Sequence, residues 1–133
     1  MRTHVEFRSA KFPAYEGEDE QINPPRHGKR LAEYLSERLR AVGVKTGEIH
    51  AEDWGWRIPV PHDAFPMWIG CGNYEEHADG YLVFIEPSRP VIRKFLKKIG
   101  TTRDVARIAD ALDTILTSDP DIQNLRWWAD DEK

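Results

Sequence analysis

The chain has 133 residues, 40% of them apolar and 32% charged, with a net charge of −4. This profile excludes a disordered chain and fits one domain over 1–133, able to bury roughly two-thirds of its unfolded surface. No apolar run approaches the ~20 residues that span a bilayer, and mild acidity argues against nucleic acid, whose phosphates need a basic footprint.

The opening "MRTHVEFRSAKF" lacks the apolar core of a signal peptide and reads as a mature N-terminus. Residues 3–9 then alternate Val5 and Phe7 against His4, Glu6 and Arg8, the period of a half-buried strand. A loop over 10–26 follows, with three prolines and no period; compact domains rarely keep so long a loop without a use for it. A helix is expected from about Pro24 or His27 to Val42. Leu31, Tyr34, Leu35, Leu39 and Val42 form its apolar stripe, Asn23 is its cap, and Gly43 lies just past its end.

Three strands come next. Residues 56–61 put Trp56, Ile58 and Val60 on one face, and 65–72 do the same with Phe65, Met67, Ile69 and Cys71, leaving Trp68 opposite. Residues 80–86, "GYLVFIE", are apolar on both faces, as an interior strand requires. The segment 89–100 is open between helix and strand; Val91, Ile92, Phe95, Leu96 and Ile99 fit a short helix better, in which Arg89, Arg93 and Lys97 share the wet side. A long helix follows, with Thr101 and Asp104 as a capping box, Val105, Ile108, Leu112, Ile115 and Leu116 inside, and Pro120 ending it. A last strand over 122–130 sets Leu125 and Trp127 against Arg126 and Trp128.

The order β-α-β-β-β-α-β predicts an α+β two-layer sandwich. Two main helices cover one face of a mostly antiparallel sheet of about five strands, as a variant of the ferredoxin-like split βαβ.

The chemistry is sparse. Cys71 in "GCGN" sits on the apolar phase of its strand, among Glu75, Glu76, Asp79 and Glu86 with no nearby cation, and reads as a buried hydrophobe. As the sole cysteine it rules out an internal disulfide, and a cytoplasmic protein is the simplest account. The five histidines lack metal spacing, and no GxGxxG or Walker loop is present, so neither a metal nor a cofactor is expected.

The stretch "EDWGW", Glu52 to Trp56, is the most distinctive. Trp56 is in phase with the core, and Gly55 marks a bulge or a close backbone approach. Glu52, Asp53 and Trp54 lie outside that phase, near Tyr74, Glu75 and Glu76 of the 73–79 loop, as an aromatic anchor with an acidic rim. Trp68 and Trp128 are expected on the sheet face without helices, where exposed aromatics mean a partner or a homodimer.

Together "EDWGW", "WIGCGN" and "RWW" resemble an uncharacterised family of small bacterial proteins; the resemblance implies no activity, cofactor or site residue. By class analogy alone, the size and acidity are similar to those of immunity or antitoxin proteins. The sequence therefore points to a non-enzymatic protein-binding domain, an acidic inhibitor of a basic protein partner, with no nucleic acid and no membrane. The alternative is a small-molecule-binding protein or small enzyme with its site under the 10–26 loop.

Overall fold

A computed structural model describes residues 1–74 and 77–129. Glu75, Glu76 and the end of the last expected strand lie outside the described residues. The fold is α+β. Strands β1 (His4–Arg8), β2 (His50–Glu52), β3 (Gly55–Val60), β4 (Met67–Asn73) and β5 (Gly80–Glu86) belong to one sheet. A separate hairpin, β6 (Val91–Lys94) and β7 (Lys97–Gly100), precedes the closing strand β8 (Gln123–Trp128) of the main sheet. Helix α1 (Lys29–Ala41) follows β1, and α2 (Thr102–Thr117) precedes β8.

The main sheet has six strands in the order β2-β3-β4-β5-β1-β8, one more than expected, and every ladder is antiparallel. The crossover β1-α1-β4 encloses β5, and β5-α2-β8 encloses β1. These are two interleaved split βαβ units. The β2–β3 hairpin widens the sheet beyond that nucleus. Both helices pack on one face, α1 over β3 and β4, α2 over β5, and touch each other. Between the layers lie Val5, Phe7, Ile58, Ile69, Val83, Leu35, Ile108 and Leu112, all nearly or fully buried.

Several local readings need correction. Residues 89–100 form no helix. Ile92 faces Ile99 across the ladder and both rest on the core, while Phe95 and Leu96 occupy the turn in open solvent. The same apolar spacing satisfies both readings, and only the tip residues separate them. Asn23 does not cap α1. That helix starts after Gly28, and its first N–H groups, those of Gly28 and Lys29, donate to the Glu18 carboxylate at 2.8 and 3.1 Å. Val42 lies past the last helical turn and is 55% exposed; Val44 fills the core instead. Thr101 makes no capping bond with its side chain, because its hydroxyl donates to the Arg89 carbonyl and ties down the base of the β6–β7 hairpin.

The rim strand β8 departs from regular pairing. Its register against β1 shifts between Glu6 and Arg8, and Asn124 there adopts the left-handed region at φ 57.

Candidate functional site: the open face of the sheet

In "EDWGW", Glu52 ends β2, Asp53 and Trp54 form a two-residue turn, and Gly55 and Trp56 begin β3. A Cβ on Gly55 would stand 2.3 Å from the Cys71 carbonyl oxygen, so only glycine lets the two strands approach here. Trp56 points to the helices and is 3% exposed. Its indole N–H donates to Glu18 at 2.9 Å. Burial raises the Glu18 pKa, but donors from Tyr15, Lys29, Gly28 and Trp56 outweigh it and hold the carboxyl below its usual range. The 10–26 loop thus delivers one buried anion that serves a helix N-terminus and a core indole together. Phe12, Glu18 and Ile22 are its buried residues.

Trp54 turns to the opposite, helix-free face. Its ring stacks on Trp68 at 5.8 Å and tilts against Phe84 at 5.2 Å, while Trp68 meets Phe84 edge-on at 5.6 Å. Phe84 lies over Gly70, where a Cβ would come within 2.3 Å of the ring, so the missing side chain seats it. The array continues through His4, stacked between Phe84 and Trp128 at 5.7 and 5.6 Å, and ends at Tyr74, 6.2 Å from Trp128. Aromatic rings therefore run from the β2–β3 turn to β8. Trp54, Trp68, Phe84 and Tyr74 are half-buried. Trp128 is on the expected face but only 4% exposed, held under the Arg126 guanidinium at 4.7 Å; its Nε1 has no hydrogen-bond partner among the described residues. It fills the face from within, and the half-buried rings are the others.

A hollow of about 410 Å³ opens among Trp54, Trp68, Phe84, Tyr74, Asn73 and Arg26. Arg26, missed in the sequence because it belongs to a distant loop, donates to the Asn73 carbonyl at 3.1 Å and stands at the rim. Glu52 pairs with Arg57 at 3.6 Å, Asp79 with Arg8 at 2.8 Å, and Glu6 with Arg126 at 2.8 Å. Asp53 is exposed, and its carbonyl accepts from the Asn23 N–H.

Cys71 is fully buried on the core side of β4, and burial pushes its thiol well above the ordinary range, so no thiolate is available for attack. Cys71→Ala should cost about 1–2 kcal/mol in denaturant unfolding and leave any binding per folded molecule unchanged. Rapid labelling of the native thiol would contradict this. Among the described residues, no three His, Cys, Asp or Glu side chains converge as metal ligands.

A second polar cluster ties the loop to the end of α2. Asp119 accepts from Lys11 at 2.6 Å and from the Tyr34 hydroxyl at 2.7 Å. Burial opposes its ionisation, but those donors outweigh it and bring the carboxyl to about 2 from an ordinary 3.8. A depressed folded pKa gives stability that is complete above the unfolded value and is lost as pH falls through the folded one. Resistance to urea should therefore weaken as pH drops from 3.8 towards about 2. Asp119→Asn should flatten that limb and cost about 2 kcal/mol at neutral pH.

The fold and this face define an antiparallel α+β domain with an aromatic sheet surface. No protein-family model, curated protein or solved structure matches the chain.

Proposed function

We propose that the chain is a non-enzymatic binding domain that holds a protein partner against the helix-free face of its sheet. One observation carries this reading. Trp54, Trp68 and Phe84 are mutually packed at 5.2–5.8 Å, half-buried, and floor a hollow with Arg26 at its edge. A flat apolar side chain from a partner would bury against three rings, and a carboxylate beside it would meet Arg26. Rigid aromatic anchors with a polar rim are what hot spots use.

Inhibition of a basic partner is the narrower form of this proposal. Among the described residues, Glu52 neutralises Arg57 and the charged group lining the hollow is the cation Arg26. Among the described residues of the expected rim, steering would fall to the exposed Asp53. A homodimer is the other occupant to separate from a foreign protein. A single buried thiol is in keeping with a reducing compartment such as the cytoplasm.

The test uses the folded chain, Trp68→Ser and Trp54→Ala as baits in extract of the native host, with circular dichroism confirming the fold of each. A defined protein retained by the parent and lost from both variants is the expected result. Equal retention by all three would remove the open face from the reading. A parent that sediments as a dimer and falls to monomer with Trp68→Ser would replace the foreign partner with a second copy.

A second reading has its own support, because about 410 Å³ lies within the range of small-ligand sites, roughly 300–1,000 Å³. It would prevail if no protein is retained while small aromatic acids shift the indole resonances of Trp54 and Trp68.

A further inference from the structure

The β6–β7 hairpin breaks several local rules at once, all of them at its tip. Its base is secured, since the Thr101 N–H donates to the Pro90 carbonyl at 2.9 Å and Ile92 and Ile99 rest on the core. Beyond that anchor every residue from Arg93 to Lys98 is exposed. Phe95 is 95% and Leu96 99% exposed. Two-residue hairpin turns favour Asn-Gly or Asp-Gly, yet here Phe95 takes the left-handed region at φ 58. Arg93 lies opposite Lys98 and Lys94 opposite Lys97, so both cross-strand pairs near the tip set like charges against each other. The segment 89–100 carries five cations and no acid in a chain whose net charge is −4. No ion pair holds Arg93, Lys94, Lys97 or Lys98 among the described residues.

Water penalises each of these features, and an interface that is apolar inside and anionic at its rim relieves the exposed side chains and the opposed charges together. We propose that the hairpin is a peripheral membrane contact. Phe95 and Leu96 enter the acyl–headgroup boundary of a bilayer rich in anionic phospholipid, and the four cations lie among the headgroup phosphates. No helix among the described residues is long and apolar enough to cross a membrane, and lying on a surface is a different act from spanning it. The sequence-based expectation of no membrane rested on the lack of a span, and surface contact goes beyond it.

Two observations favour lipid over nucleic acid or an acidic protein. Residues 93–98 flank two adjacent hydrocarbon side chains, Phe95 and Leu96, with cations, and a phosphate backbone would leave that hydrocarbon in water where an acyl region buries it. The tip also stands three residues beyond the Ile92–Ile99 pair, or about 10 Å at ~3.3 Å per residue. That exceeds the ~8 Å over which charges are screened at physiological salt. The tip can touch an anionic plane while the acidic remainder stays screened, whereas a duplex groove would draw that remainder against phosphates.

The test is flotation of the full chain with vesicles of phosphatidylcholine alone or mixed with phosphatidylglycerol. The parent should float with the mixed vesicles, remain behind with neutral ones, and be released by salt. The double variant Phe95→Asn/Leu96→Gly installs a favourable turn, so its melting temperature should be unchanged or higher while partitioning falls by at least about tenfold. Lys94→Glu/Lys97→Glu should lose several-fold per charge, about fivefold for each cation removed. A parent that ignores phosphatidylglycerol, or a turn variant that binds as well as the parent, overturns the proposal. So does loss, in these variants, of binding to duplex DNA or to an acidic protein when vesicles are not bound. None of these outcomes depends on the open sheet face, whose variants Trp54→Ala and Trp68→Ser should float as the parent does.

Discussion

Glu18→Ala should lower the free energy of unfolding by about 3–5 kcal/mol, because buried donors at a helix start and a core indole lose their acceptor together. The carboxylate is 2% exposed and receives the N–H groups of Tyr15, Gly28 and Lys29 and the Trp56 indole, all within 2.8–3.1 Å. Glu16, Asp19 and Glu20 flank it in the same acidic run and are partly or fully exposed, so Ala at any of them should change stability by about 0.5 kcal/mol or less. Urea unfolding of the four variants checks the contrast. Equal small losses at all four positions would mean that water replaces the carboxylate without cost.

The second large effect separates the two tryptophans of "EDWGW". Trp56→Ala should cost about 3–5 kcal/mol, since it opens a cavity under α1 and strands part of Glu18. Trp54→Ala should cost only about 1–2 kcal/mol, the value of its ring contacts with Trp68 and Phe84 on a half-buried face. That is slightly more than its position outside the core phase alone would give. Trp56→Phe keeps most of the packing and removes the indole donor, so a double-mutant cycle with Glu18→Gln should reveal coupling of about 1 kcal/mol. Additivity in that cycle would show that the bond from Trp56 to Glu18 contributes nothing to stability.

Much of the framework was legible because burial imposes a period. Val5 and Phe7, then Trp56, Ile58 and Val60, then Val105 through Leu116, occupy the core faces that their spacing assigns. Strand β2 was not legible, since His50, Ala51 and Glu52 form three residues at a rim with no apolar alternation. The β6–β7 hairpin stayed ambiguous because Ile92 and Ile99 fit a helical stripe as well as a cross-strand pair. Nothing in that pattern announces that Phe95 and Leu96 are left in water.

The candidate face was partly legible. Trp54 and Trp68 were out of phase with the core, and the structure brings them together. Phe84 was hidden inside a strand that is apolar on both sides, and Arg26 inside a loop without period. Glu18 is the hardest case. Among neighbouring acids only the three-dimensional path of the loop distinguishes it, and no spacing rule encodes that path.

The irregular rim at β8 bears on how the chain avoids its own copies. A sheet edge offers unpaired N–H and C=O groups to any extended segment, and long flat edges template fibrils. Here the register break between Glu6 and Arg8, with Asn124 in the left-handed region, interrupts the regular row of donors and acceptors on that side. At the opposite rim β2 offers three residues only. Both ends thus resist strand-by-strand growth into filaments, so the half-buried aromatic face can be displayed without the sheet extending itself.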